Sequence, residues 1–105
     1  MIVVEVQIIA VWDIEQKLKE GCILVDLREY EEYEKEHIPG AICITYEEDT
    51  LFDKIKIVLD APALIFYCER GNTSLLVGRK LAEQGKKVYT ISGGFYAYKR
   101  VHRKR

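Results

Sequence analysis

Little in this 105-residue sequence could staple or ligate the chain from outside its own core. Its three cysteines, Cys22, Cys43 and Cys68, are odd in number and widely spaced. They fit neither a disulfide framework nor a Cys-x-x-Cys metal site, and they imply a reducing compartment. With two histidines, His37 and His102, the chain is poorly supplied for histidine-built metal sites or general bases. No apolar run approaches the ~18 residues that a membrane-spanning helix needs. No charged n-region is followed by an apolar h-region and cleavage site, so the expected location is cytoplasmic, with no membrane partner. Internal repeats, low-complexity tracts and linkers are also lacking, and residues 1–105 read as one domain.

The composition is that of a soluble globular protein, with 49% apolar and 31% charged residues, and its length suffices to bury a core without staples. Net charge is −1, but Lys99 to Arg105 carry five of the 16 basic side chains and no acid. The rest of the chain is acidic. A basic tail at 99–105 can be a footprint for RNA or an acidic partner. Its plainer reading is a frayed, solvated terminus, since no aromatic or glycine is interleaved there as in a base-stacking platform, so nucleic acid is not the expected partner.

Along the chain, Ile2 to Ile9 reads as strand, and Val11 to Glu20 as a helix that Gly21 stops, with Trp12 packed on it. Cys22 to Asp26 is a continuous apolar run closed by an acid, the pattern of a strand covered on both faces. Glu29 to Glu36 reads as a short acidic helix or turn. Pro39-Gly40 breaks it, and Ala41 to Ile44 is the next short strand. Glu47 to Leu59 carries Leu51, Ile55 and Leu59 at helical spacing and ends at Ala61-Pro62. A strand at Ala63 to Tyr67, a helix from Thr73 or Ser74 to Gln84 with Gly85 past its end, a strand at Val88 to Ile91 and a terminal helix at Phe95 to Arg100 complete the series. Strands alternating with helices predict a mostly parallel sheet with helices on both faces, whose ligands sit beyond the carboxyl ends of the strands.

One stretch stands apart. Ala63 to Tyr67 is apolar, and the run stops at Cys68 in the polar loop Cys68-Glu69-Arg70-Gly71-Asn72-Thr73-Ser74, after which helical spacing resumes. A thiol placed there faces loop amides and the unpaired N–H groups of the first helical turn, a setting that favours negative charge on sulfur by roughly 0.3–2 kcal/mol. Gly71 suits a loop curled round its own cysteine, because it tolerates positive φ and has no Cβ to block the centre. By contrast, Cys22 and Cys43 lie in or beside apolar strands and read as small core residues.

The loop resembles the active-site loop of rhodanese-like sulfurtransferases, in which a cysteine opens six residues with glycine at the fourth position. Val25-Asp26-Leu27-Arg28-Glu29 followed by His37-Ile38-Pro39-Gly40-Ala41 resembles the family's second signature, and Gly93-Gly94 before an aromatic segment a third. Together they cover about Ile8 to Tyr98. The resemblance implies a five-stranded rhodanese fold with strand order 1-5-4-2-3, and a thiolate at Cys68 that takes the outer sulfur of a small anionic donor such as thiosulfate. The cysteine persulfide, with no cofactor or metal, then passes sulfur to cyanide or a thiol. Loop amides from Glu69 to Ser74 would stabilise the charges, Asp26 and Arg28 would form an ion pair near the rim, His37 would make a hydrogen-bonded turn, Gly93 would bring the third motif to the same rim, and Tyr98 would keep aromatic packing where the family usually has tryptophan.

Several roles stay open. Arg70 either binds the sulfonate end of the donor and offsets Glu69, or points outward as a solvated charge. The Thr73 and Ser74 hydroxyls either bond the persulfide or cap the helix. A relay module that takes persulfide from a desulfurase and passes it to a sulfur-carrier protein is an alternative to free catalysis. A cysteine phosphatase or arsenate reductase ranks lower, because the residue six after Cys68 is Ser74 and not the arginine that would grip a phosphoryl dianion.

Overall fold

The computed structural model describes residues 6–102. Five strands, β1 (Gln7–Ile9), β2 (Ile23–Asp26), β3 (Ile42–Cys43), β4 (Leu64–Tyr67) and β5 (Val88–Ile91), form one sheet in the order β1-β5-β4-β2-β3. All four ladders are parallel, with Asp26 opposite both Tyr67 and Cys43. Each parallel pair therefore needs a crossover, and five helices fill them or close the chain: α1 (Ile14–Lys19), α2 (Tyr30–Lys35), α3 (Leu51–Ile55), α4 (Asn72–Glu83) and α5 (Gly94–His102).

Successive strand residues point to opposite faces, and two apolar clusters result. Leu24, Ile65, Tyr67, Tyr89 and Ile91 face one way, with Val11, Ile14 and Phe95 packed over them. Val25, Leu64, Phe66 and Val88 face the other, beneath Leu51 and Ile55 of α3 and Val77 and Leu81 of α4. At Gly78 α4 presses close to the sheet, where an added Cβ would stand 3.2 Å from Thr90, Val6 and Val88 side-chain carbons.

Most elements are shorter than their apolar runs. Of the expected first strand, residues 2–5 lie outside the described residues. Residues 11–13 form a 3-10 turn before α1, and the expected helix at Glu47 to Leu59 is regular only over Leu51–Ile55 before tightening into a 3-10 turn at Lys56–Val58. Trp12 departs from expectation: it is 76% exposed, because the 3-10 turn rotates it outward while Val11 and Ile14 fill the core face. Residues 99–102 are not frayed but continue α5, with Lys99 Nζ 3.6 Å from Glu36 Oε1; residues 103–105 of the basic tail lie outside the described residues. No helix among the described residues is long and apolar enough to cross a membrane.

Candidate active site

Cys68 follows β4 directly, and the chain turns so tightly there that α4 begins four residues later. The turn depends on Gly71, which precedes α4 at φ +107°, a region closed to most L-residues. Space is not what demands glycine here, contrary to the expected crowding at the loop's centre: an added Cβ would lie at ordinary distances of 3.7 Å from the Gly93 nitrogen and 3.9 Å from the Ile91 carbonyl.

The Cys68 sulfur sits inside the curl. The amides of Gly71 and Ser74 donate to Sγ at 3.2 and 3.3 Å. Among the described residues these two, rather than the whole run from Glu69 to Ser74, carry the contact. The Ser74 hydroxyl, fully buried, donates to the Gly71 carbonyl at 3.2 Å and leaves its lone pairs to the Cys68 thiol, 3.6 Å away. Cys68 belongs to neither apolar cluster; it is buried, with 7% of its surface exposed, and its sulfur faces polar groups of the loop. Glu69, Arg70 and Asn72 face solvent, and Thr73 is half-buried.

A second segment holds the loop from behind. The α5 amides of Phe95 and Tyr96 donate to the carbonyls of Cys68 (2.9 Å) and Glu69 (3.0 Å). Gly94 makes that approach possible. It has φ +60°, and a Cβ on it would stand 2.5 Å from the Cys68 carbonyl oxygen and 2.8 Å from that of Glu69. Gly93, at φ +75°, would bring its Cβ within 2.8 Å of the Ala97 Cβ. The sequence pointed to Gly93; the structural demand for glycine against the loop falls on Gly94, and the Gly-Gly pair before an aromatic segment was its only local signal.

Beneath the loop lies an ion pair more deeply enclosed than a rim position implies. Asp26 is fully buried, and Arg28 Nη2 and Nε reach its carboxylate at 2.8 and 3.1 Å. Nη2 also donates to the Glu36 carbonyl at 2.7 Å, and Nη1 lies 3.7 Å from Glu69 Oε1 on the loop. The guanidinium also sits over the Phe95 ring, with Cζ 3.9 Å from the ring centre. Burial opposes the charge on Arg28, and the Asp26 carboxylate outweighs it, leaving the guanidinium's pKa above its ordinary value. Arg28 thus links the ends of β2, the α2 turn and the loop.

The other expected residues take supporting places. His37 Nδ1 donates to the Tyr33 carbonyl at 2.8 Å and stacks on the Tyr33 ring at 3.9 Å, as a hydrogen-bonded turn histidine does. Tyr67 is fully buried, with its hydroxyl accepting from the Ile38 amide at 3.1 Å; burial first, and then the Asp26 carboxylate, push its phenol pKa far above the ordinary value. Burial likewise raises the thiols of Cys22 and Cys43, which favours their neutral forms. Cys22 is a core residue as expected, whereas Cys43 is only half-buried, with its sulfur 3.6 Å from the Thr45 hydroxyl. Tyr98 keeps an aromatic stack, 5.9 Å from Phe95 and 4.1 Å from His102. No group of three or more His, Cys, Asp or Glu side chains suited to a metal gathers among the described residues.

Comparison with known proteins agrees with this geometry. The sequence matches the rhodanese-like domain over residues 12–101. It is 34% identical over 85 residues to thiosulfate sulfurtransferase GlpE of Coxiella burnetii, covering 80% of this chain and 78% of that one. It is 36% identical over 77 residues to the tRNA sulfurtransferase of Desulfurococcus amylolyticus, covering 73% of this chain but 15% of that much longer protein. The rhodanese-related protein from Thermoplasma volcanium superimposes with a TM-score of 0.78 at 24% identity, over 91% of this chain and 93% of that one. The reduced CoADR-RHD of Bacillus anthracis superimposes with a TM-score of 0.80 at 31% identity, over 91% of this chain and 17% of that one. With its five-stranded parallel sheet, cysteine loop and sulfurtransferase relatives, the chain belongs to the rhodanese-like domain family.

Proposed function

We propose that this chain moves sulfane sulfur through a persulfide on Cys68. The observation that carries the reading is the pair of amides, Gly71 and Ser74, aimed at Sγ from the turn that opens a twelve-residue helix. Two N–H donors and the positive end of α4 stabilise an anionic sulfur with no general base. The Cys68 thiolate attacks the outer sulfur of thiosulfate. The bond between the two sulfurs of the donor breaks, and its electron pair leaves with sulfite. The new terminal sulfur carries the negative charge, and the Ser74 hydroxyl, able to turn its proton from the Gly71 carbonyl, adds a further donor. A cyanide or thiolate acceptor then attacks that terminal sulfur, and the electron pair of the broken bond returns to Cys68 as thiolate.

Thiosulfate as donor is supported by the name of the Coxiella relative. Arg70, two residues past Cys68 and exposed, is the loop's own cation for the sulfonate end. Thr73 and Asn72 line the same turn. The similarity to tRNA sulfurtransferases favours a second use of this site, as a relay receiving persulfide from a desulfurase and passing it to a carrier protein. A phosphatase reading finds no support in the loop, since the sixth position after Cys68 is the buried Ser74. The test is turnover of thiosulfate with cyanide by wild-type protein and Cys68→Ala. Thiocyanate formation that disappears in the variant is expected, and activity that survives in it rejects the assignment.

A further inference from the structure

Around the mouth of the loop most charges have partners: Glu69 faces Arg28 at 3.7 Å, and Lys99 faces Glu36 at 3.6 Å. Arg70 and Arg100 make no ion pair among the described residues. Both gather on one aromatic ring instead. The Arg70 Cζ lies 4.0 Å from the centre of the Tyr96 ring, and the Arg100 Cζ lies 5.9 Å from the same ring, one helical turn on. Tyr96 is itself fixed to the loop, since its amide donates to the Glu69 carbonyl at 3.0 Å. A guanidinium on an exposed arginine would otherwise sample many rotamers.

We infer that Tyr96 is a positioning residue that holds Arg70 beside the Cys68 loop, and that Arg70 and Arg100 together select sulfur donors by their negative charge. This rests on the sulfur-transfer reading of Cys68. Two guanidiniums without carboxylates favour a dianion over a monoanion that carries the same transferable sulfur. Thiosulfate is such a dianion, and benzenethiosulfonate is the matching monoanion, which yields benzenesulfinate where thiosulfate yields sulfite. The effect belongs to binding, so it falls on KM, and added salt weakens it.

The experiment measures KM and kcat with each donor, cyanide as acceptor, for wild type, Arg70→Ala, Arg100→Ala, Tyr96→Leu and Tyr96→Phe. Loss of the aromatic face in Tyr96→Leu is expected to raise the thiosulfate KM about two- to five-fold, the range of an exposed cation–π contact. Tyr96→Phe, which keeps the face and loses only the hydroxyl, restores the wild-type value. Removing Arg70 raises the KM about ten-fold or more, as for a charged hydrogen bond, while benzenethiosulfonate is affected less. Arg100→Ala is likewise expected to raise the thiosulfate KM more than the benzenethiosulfonate KM. Unchanged thiosulfate KM in Arg70→Ala, Arg100→Ala or Tyr96→Leu, with wild type active, overturns this inference and leaves the reading of Cys68 standing. A wild type inactive with both donors overturns both together.

Discussion

Substituting Gly94 by alanine tests how the loop is held. The residue sits at φ +60°, and the added Cβ would lie 2.5 Å from the Cys68 carbonyl oxygen and 2.8–2.9 Å from the Glu69 carbonyl group. These are backbone atoms of the reactive loop, which cannot rotate aside as a side chain would. Left-handed backbone costs about 1–2 kcal/mol for a residue with a Cβ. Relief of the clash must separate α5 from the loop and weaken the two bonds from Phe95 and Tyr96 to those carbonyls. At about 0.5–1.5 kcal/mol each, they bring the expected loss to roughly 2–5 kcal/mol. For a domain of this size that lowers the melting temperature by about 10 °C or more. Gly85→Ala is the control, since Gly85 has φ +87° with no atom within 4 Å of an added Cβ, and only the conformational cost of about 1–2 kcal/mol applies. Urea unfolding of both variants measures the difference, and rates of persulfide formation show whether the loop has moved. Equal stabilities of Gly94→Ala and Gly85→Ala would refute the argument that close backbone approach, rather than φ alone, demands glycine at position 94.

Other consequences follow from the buried groups. Asp26→Asn leaves the Arg28 guanidinium buried without its counter-charge and is expected to destabilise the fold by roughly 3 kcal/mol or more in chemical denaturation; a loss below about 1 kcal/mol would contradict the role given to the pair. The raised Tyr67 pKa makes stability fall at alkaline pH, because above about pH 10 the unfolded chain releases this proton while the folded chain keeps it. Tyr67→Phe should therefore lose up to about 1.4 kcal/mol less per pH unit than wild type above pH 10, and parallel curves would count against a protected phenol. The double variant Cys22→Ala, Cys43→Ala should still turn over thiosulfate, with a modest loss of stability from Cys22; inactivity of a folded double variant would bring a second thiol into the mechanism.

The alternation of strands and helices was legible because each apolar run is bounded by glycine, proline or charge, whereas the strand order was implied only by the resemblance of the motifs to the family. Cys68 and Gly71 were legible because their neighbours in sequence are also their neighbours in space, and the Asp26–Arg28 pair because its motif resembles the family's. What sequence could not reveal lies between distant segments. Phe95 over Arg28, Tyr96 under Arg70, and the α5 amides on the loop carbonyls all join the last helix to residues far back in the chain, and no local pattern encodes such contacts. Trp12 misled for a related reason: helical spacing placed it on α1, but the chain enters that helix through a 3-10 turn, which changes the facing of each residue. The short β3, two residues long, is held by pairing with β2 rather than by any preference of its own sequence.

The central claim is that the sulfur of Cys68, cradled by the Gly71 and Ser74 amides, is the atom that takes up and yields sulfane sulfur. Intact-mass measurement after thiosulfate exposure, followed by peptide mapping, addresses it directly. The account predicts one adduct of about +32 Da on the peptide containing Cys68, removed by cyanide and missing from Cys68→Ser. An unmodified wild-type chain, or an adduct carried by Cys22 or Cys43 instead, would contradict it.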